Sequence, residues 1–151
     1  MKNETVEFDQ FTDGYNETVV KDLGKLGKYR DTAFVYKADF LKHILKKEPK
    51  TILDFGCGIG SFIPYLRASF KDAKLYGCDV SPQSIETAKK NYSYCDFAVV
   101  ENVDDLKIYE KTDCIIVNTV LHHIPQREHE YWVNGLHGLL ADSESGGGGG
   151  L

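Results

Sequence analysis

The sequence predicts an α/β protein in which a parallel sheet carries helices on both faces. Three observations lead to this fold class. After residue 50, short apolar segments typical of buried strands alternate with segments of helical periodicity. A glycine-rich turn follows the first apolar segment, in TILDFGCGIGSF (51–62), and a Ser-Pro pair typical of a helix start follows the second. This alternation indicates parallel strands joined by right-handed crossovers.

The first half of the chain contains two predicted helices and one strand. Apolar residues recur at helical spacing from about Tyr29 to Lys47, and Pro49 ends that helix. TILDF (51–55) is a short buried strand. The second helix is expected from Gly60 to Phe70, with Pro64 near its first turn, where a missing N–H costs little.

The second half contains three strands and two helices. KLYGCDV (74–80), CDFAVV (95–100) and DCIIVNTV (113–120) are the strands. Ser81 is the predicted N-cap of a helix that reaches about Asn91, and the last helix spans about Gln126 to Leu140. In sheets of this kind, ligands bind at the carboxyl ends of the strands.

Composition and charge restrict the class of protein and its partners. A chain of 151 residues suits one domain, and its net charge of −5 provides no basic field that would attract nucleic acid or an anionic membrane. No apolar run is long enough to span a bilayer, and MKNETVEFDQF (1–11) lacks the apolar core of a signal peptide. The four cysteines form no CxxC pair and lie in or beside apolar strands, as buried thiols in a reducing compartment do. We therefore expect a cytoplasmic protein without nucleic-acid or membrane partners.

The glycine-rich turn is the strongest sign of a ligand site. Three glycines in five positions allow a sharp turn and a close approach of the backbone to a ligand, at Gly56, Gly58 and Gly60. Asp79 ends the second strand about 20 residues further on, at the position where a carboxylate accepts the hydroxyls of a ribose. The alternative for Asp79 is a helix-capping or surface role.

The spacing of the glycines argues against a nicotinamide cofactor. The fingerprint G-x-G-x-x-G/A requires Gly or Ala at its last position, where the two possible registers have Ser61 and Ile63. A carboxylate two residues before the first glycine, Asp54, suits a ligand that carries an ammonium group better than a pyrophosphate. The alternative for Asp54 is a contact with a nearby backbone turn.

Several motifs in order resemble one family. ILDFGCGIG (52–60) resembles the first motif of class I S-adenosylmethionine (SAM) dependent methyltransferases, and LYGCDVSPQSIETAKKN (75–91) resembles their second strand and following helix. FAVVENVDDL (97–106) is similar to the segment that contacts adenine, and DCIIVNTVLHHIP (113–125) to the fourth strand and its exit. FDQFTDGYN (8–16) resembles an N-terminal segment that folds over the cofactor. The resemblance implies SAM as cofactor and S-adenosylhomocysteine (SAH) as product.

The resemblance also implies a role for individual residues. Asp54 would lie near the methionine amino group, and Asp79, with Val80 beside it, would hold the ribose. The backbone of the turn would wrap the methionine and ribose, at Gly56, Cys57, Gly58 and Gly60.

The remaining cofactor contacts are implied less directly. Asn102 would accept from the adenine amino group, with Val103 supplying a backbone donor. The family usually has Asp at the first of these positions, and a shift of one residue would substitute Glu101. Asn118 would border the methyl end, and Tyr15 would close over the methionine. For both asparagines a plain turn role is the alternative, and for the tyrosine it is packing.

Two histidines follow the fourth strand, where the reaction centre is expected. His123 is the candidate general base, His122 is a weaker one, and packing is the alternative for both. Together with His129 they would suggest a metal, but no acidic or thiol partner lies at a recognisable spacing. We therefore expect no metal site.

The resemblance implies a Rossmann-like domain with strand order 3-2-1-4. We expect a lid segment at 1–28, the SAM-binding domain at 29–141 and a glycine-rich tail at 142–151, in which SESGGGGGL favours neither strand nor helix. The chain is thus expected to stop before the family's fifth strand, which leaves the fourth strand as an edge that a second copy could cover. The expected activity is methyl transfer to a small-molecule acceptor. The alternative is a non-catalytic SAM-binding domain or an inactive fragment.

Overall fold

A computed structural model describes residues 30–141 of the chain. The predicted lid segment with Tyr15 and the predicted tail from residue 142 lie outside the described residues. Within 30–141, no helix is long and apolar enough to cross a membrane.

The described residues form one parallel sheet. Its strands are β1 (Thr51–Phe55), β2 (Lys74–Asp79), β3 (Asp96–Val99) and β4 (Cys114–Val117). The spatial order is β3-β2-β1-β4, which confirms the predicted topology. In the central strand, Leu53 lies between Tyr76 of β2 and Ile115 of β4. Because all strands run in the same direction, their carboxyl ends meet at one edge, where the glycine-rich turn and Asp79 lie.

Helices cover both faces of the sheet. They are α1, which includes residues 30–44, α2 (Ile63–Ser69), α3 (Pro82–Asn91) and α4 (His129–Leu139). Short 3-10 helices span Val103–Tyr109, Leu121–His123 and Gln126–Glu128. The start of α3 is as predicted, because the Ser81 side chain caps it by accepting from the Ser84 N–H at 3.2 Å.

Two helix predictions need correction. The helix expected from Gly60 begins at Ile63, because Gly60 has a φ of +80° and cannot be part of a right-handed helix. The last helix was expected from Gln126, but a 3-10 turn precedes α4 there. The 3-10 helix Val103–Tyr109 was not predicted, and a capping box between Asn102 and Asp105 starts it.

The sheet separates two apolar cores. Alternate residues of β1 point to opposite faces, so that Ile52 packs with α1, α2 and α3 while Leu53 packs with α4 and the 3-10 helix Val103–Tyr109. Both side chains are almost fully buried, and burial of this kind stabilises the fold by about 1.5–3 kcal/mol for each residue. The two cores fix the sheet from both sides and hold its carboxyl edge in place.

Strand β4 lies at an edge of the sheet. The chain leaving α4 returns beside the residue that precedes β4: the Thr112 N–H donates to the Leu139 carbonyl at 3.0 Å, and the Ala141 N–H donates to the Thr112 carbonyl at 2.9 Å. This contact is a parallel bridge between Thr112 and Leu140. Along β4 itself, no strand within residues 30–141 pairs on the side away from β1.

Candidate cofactor and acceptor site

The glycine-rich turn is held against the end of β2 by backbone hydrogen bonds. The N–H groups of Gly56 and Cys57 both donate to the Cys78 carbonyl, at 2.8 and 2.9 Å. The turn then closes on itself, because the Gly60 N–H donates to the Cys57 carbonyl at 2.9 Å. These bonds bring the loop after β1 over the tip of its neighbour β2.

Asp79 joins three segments at this tip. Its Oδ2 accepts from the Gly58 N–H and its Oδ1 accepts from the Ser81 N–H, each at 2.9 Å. The carboxylate therefore fixes the glycine turn and the start of α3 relative to β2. Asp79 is half-buried, so its oxygens remain within reach of a ligand at the carboxyl edge. Of the roles considered from the sequence, the structure shows the one at the helix start, and the ribose contact stays a prediction.

The three glycines of the turn are required for different steric reasons. All three have positive φ, +72° at Gly56, +54° at Gly58 and +80° at Gly60. A Cβ at Gly56 would overlap the Val120 side chain, and one at Gly60 would lie 2.9 Å from the Tyr92 ring. A Cβ at Gly58 would meet nothing within 4 Å. Gly58 thus borders open space, as expected of a backbone that a ligand approaches.

Asp54 is a buried carboxylate at the end of β1. Its exposed fraction is 3%. Burial, and secondarily the negative charge of Asp79, raise its pKa to about 7. Among residues 30–141, the salt bridges do not include this carboxylate. A bound cation next to Asp54 would therefore favour its charged form.

The surroundings of Cys57 and Cys78 disfavour a nucleophilic or metal-binding role. Cys57 is half-buried, and burial followed by the charges of Asp54 and Asp79 raises the pKa of its thiol well above the usual range. The same causes, with burial largest, raise the pKa of Cys78 to about 12. A thiol that stays protonated is a poor nucleophile and metal ligand. A ligand contact of Cys57 through its backbone stays a prediction.

Three further residues predicted to contact the cofactor follow the ends of β2 and β3: Val80, Asn102 and Val103. Val80 is 50% exposed directly after Asp79, and it offers an apolar surface beside the tip of β2. The Asn102 side chain accepts from the Asp105 N–H at 3.2 Å and thereby caps the 3-10 helix that Val103 begins. The structure therefore shows the turn role of Asn102, and its adenine contact stays a prediction.

The end of β4 carries two features that the sequence did not reveal. The ammonium of Lys37, on α1, donates to the Asn118 Oδ1 at 2.7 Å. Thr119 follows with a φ of +58°, a conformation rarely adopted by β-branched residues. Val120 comes next and covers Gly56. The loop after β4 is therefore attached both to α1 and to the glycine-rich turn.

The histidines lie on the exit from β4, and their contacts differ. The rings of His122 and His123 are 3.8 Å apart, and both residues are exposed. The Nε2–H of His129 donates to the carbonyls of Leu121 and Ile124, each at 2.8 Å, so this ring closes the turn. Within the described residues, no group of His, Cys, Asp and Glu is arranged to hold a metal ion.

The methyltransferase domain family matches residues 53–145, which include the glycine-rich turn, Asp79 and β4. The chain belongs to the class I SAM-dependent methyltransferase family. This membership confirms the resemblance found in the motifs.

Members of the family with different acceptors are similar to the chain. A trans-aconitate 2-methyltransferase of Methylobacterium radiotolerans is 31% identical over 104 residues, 69% of this chain and 39% of that protein. A tRNA N(3)-methylcytidine methyltransferase of Schizosaccharomyces pombe is 30% identical over 105 residues, 65% of this chain and 42% of that protein. The plantazolicin methyltransferase BamL, solved with SAH and a triazolic desmethylPZN analog, is 29% identical with a TM-score of 0.58, over 74% of this chain and 41% of that one. The chain thus spans about two fifths of the length of these relatives.

The structure brings most of the predicted site residues to one edge of the sheet. Those at the ends of β1, β2 and β4 and in the turn after β1 are Asp54, Gly56, Cys57, Gly58, Gly60, Asp79, Val80 and Asn118. Two features of this edge were not predicted, namely the bond of Lys37 to Asn118 and the positive φ of Thr119. The sequence places Lys37 on one helical face with Phe34 and Leu41, but neither its contact with Asn118 nor the φ of Thr119 leaves a signal there.

The glycine turn leads to a first prediction. Replacing Gly58 with alanine should preserve the fold at a cost of about 1 kcal/mol, because only the positive φ is unfavourable there. Replacing Gly56 with alanine should cost at least about 2 kcal/mol more, because the new methyl group overlaps Val120. Urea unfolding of both variants measures the difference. Equal losses of stability would show that the packing of Val120 on the turn is wrong.

The burial of Asp54 leads to a second prediction. Its pKa of about 7 lies above that of the unfolded chain, so the folded protein retains a proton that the unfolded chain loses between about pH 4 and 7. Stability should therefore fall as the pH rises through this window. Between pH 5 and 7.5 the wild type should lose about 2 kcal/mol more than Asp54→Asn. Urea unfolding at both pH values tests this, and parallel pH profiles would contradict it.

Proposed function

We propose that the chain binds SAM across the tips of β1 and β2 and transfers its methyl group to a small-molecule acceptor. The observation that carries the proposal is the Asp79 carboxylate, which holds an open glycine turn at the carboxyl edge of the sheet. BamL, a family member that is 29% identical, was solved with SAH, and this supports the choice of cofactor.

The carboxylates suit the two polar ends of this cofactor. Each oxygen of Asp79 accepts one backbone N–H and has a further lone pair, so the carboxylate can also accept from the two ribose hydroxyls. The buried Asp54 supplies the negative charge that the methionine ammonium requires. A charged partner would compensate the burial of this carboxylate.

The adenine and methyl ends have fewer candidate contacts. Val80 presents an exposed apolar side chain to the adenine, with Asn102 and Val103 as polar partners, and Asn118 borders the methyl end. Tyr15, in the proposed lid segment 1–28, closes over the methionine.

Methyl transfer makes modest demands on the chain. When bound, SAM supplies a methyl group on a positively charged sulfur, which is already reactive toward nucleophiles. The chain holds donor and acceptor in line and excludes water. His123, exposed on the exit from β4, is the proposed base for an acceptor that retains its proton. Its ring contact with His122 also suits a packing role.

Charge favours a small acceptor. Relatives act on trans-aconitate and on tRNA. A net charge of −5 does not favour binding to polyanionic tRNA, so we place the acceptor among small molecules. The four cysteines of the chain are free thiols, three of them buried, which supports a reducing, cytoplasmic location. The runner-up is a SAM-binding domain without catalysis.

A second copy of the chain is the proposed cover for β4. The backbone N–H and C=O of Thr112 point away from β1. Because these groups alternate in direction along a strand, the backbone N–H and C=O groups of Cys114 and Ile116 also point away from β1. Exposed apolar side chains of Val117 and Val133 flank this edge. Two copies related by a two-fold axis would pair β4 antiparallel beyond the segment that Leu140 occupies.

Binding of SAH tests the cofactor site. Wild type should bind SAH in calorimetry, and Asp79→Asn should weaken binding at least about tenfold, because an amide has one accepting oxygen for the ribose. Asp72→Asn, an exposed aspartate in the loop before β2, is the matched control and should bind as wild type. Folded protein that does not bind SAH would contradict the proposal.

Turnover separates the proposed enzyme from its runner-up. Incubation of wild type with labelled SAM and a collection of small acceptors should transfer label to at least one of them. If SAH binds but no label is transferred to any acceptor, the non-catalytic alternative is favoured.

The oligomeric state tests the dimer. Light scattering after size exclusion should give twice the chain mass for wild type, and Val117→Lys should give monomers, because the charge is placed on the paired edge. Ile108→Lys is the control, since Ile108 is equally apolar and 66% exposed on the 3-10 helix Val103–Tyr109. A monomeric wild type, or dimers in all variants, would contradict pairing through β4.

A further inference from the structure

A cavity adjoins the end of β4 on the side of α1. Its volume is about 150 Å³, which is comparable to cavities that hold a benzene-sized molecule. Apolar side chains form most of its wall, and Lys37 and Asn118 supply the polar groups; the apolar members are Phe40, Leu41, Phe62, Ile116 and Val117. The cavity is a shallow depression that is widely open to solvent, so a ligand can enter.

Lys37 is held at this cavity by two contacts. Its ammonium donates to the Asn118 Oδ1 at 2.7 Å and lies 5.9 Å from the centre of the Phe34 ring. The Phe34 ring in turn packs on Phe62, with ring centres 5.1 Å apart. The charged group is therefore positioned by α1 and β4 together.

The bond between Lys37 and Asn118 leaves donors for a ligand. An ammonium has three N–H groups, and this bond uses one of them. Because an ammonium only donates, the Asn118 oxygen must face Lys37, and the amide NH₂ is directed elsewhere. The cavity thus combines an apolar wall with a cation and, beside it, an amide donor.

We propose that this cavity is the acceptor site and that the acceptor is a small carboxylic acid. Its apolar part enters the cavity, and its carboxylate binds the Lys37 ammonium beside Asn118. The inference rests on the proposed function, because that function places the methyl end of the cofactor at Asn118. Lys37 lies outside the segment 53–145 that the family shares, as suits a residue that selects the acceptor rather than the cofactor.

Benzoate and benzamide test the charge requirement. The two molecules have nearly the same shape and differ in charge, and their binding is measured by ligand-observed NMR with SAH at saturation. Wild type should bind benzoate more tightly than benzamide. Lys37→Met should weaken the binding of benzoate about fivefold and leave the binding of benzamide unchanged, because only the anion loses its charged partner.

Two further variants separate the cavity from general effects. Lys42→Met removes an exposed lysine of the same helix, paired with Glu48 at 3.9 Å and outside the cavity wall, and should behave as wild type. Leu41→Phe narrows the cavity and should weaken the binding of both benzoate and benzamide. All variants should bind SAH as wild type does, and thermal unfolding should show that each one is folded.

Several results would overturn the proposal. They are absent binding of benzoate to wild type, equal binding of benzoate and benzamide, or an unchanged benzoate affinity in Lys37→Met. Loss of benzoate affinity in Lys42→Met would likewise show an effect of net charge alone. Failure of wild type to bind SAH would instead contradict the proposed function, so the two failures are distinguishable.

Discussion

The Asp79 carboxylate is the interaction on which the site depends. Its two oxygens accept backbone N–H groups from the glycine turn after β1 and from the residue that caps α3. Two loops from different strands are thereby fixed to one side chain at the tip of β2. Hydrogen bonds to a charged acceptor are stronger than neutral ones. The bond from the Gly58 N–H to Asp79 therefore fixes the position of the Gly58 backbone at the open edge of the sheet.

The site has a backbone half and a side-chain half. At β1 and β2, glycines and main-chain groups form the surface, and side chains other than the two aspartates contribute little. At β4 the surface consists of the side chains of Lys37 and Asn118 with apolar neighbours. A cofactor common to a family suits the first half, since backbone geometry tolerates sequence change. An acceptor that differs among relatives suits the second half, because side chains are replaced easily.

The loop after β4 connects these halves. Thr119 adopts a left-handed conformation, Val120 packs on Gly56, and Asn118 contacts α1. A β-branched residue with positive φ is unfavourable by itself, and the surrounding contacts must maintain it. The side-chain half is therefore linked to the glycine turn by three consecutive residues, Asn118, Thr119 and Val120.

Local sequence patterns determined the strands, their order and most of the backbone half of the candidate site. The alternation of apolar strands with helices, the Ser81-Pro82 helix start and the spacing of Asp54, the glycines and Asp79 are short-range features, and they placed these residues at one edge correctly. The late start of α2 at Ile63 was missed because the φ of Gly60 depends on how the turn packs.

Tertiary structure alone decided the contact between Lys37 and Asn118 and the raised pKa of Asp54. Lys37 and Asn118 are 81 residues apart in the chain, and only the packing of α1 beside β4 brings them together. The pKa of Asp54 rises because its surroundings exclude water, and that exclusion is a property of the assembled core. Sequence spacing governs what neighbours along the chain can do, whereas burial and contacts between distant residues exist only once the sheet has formed.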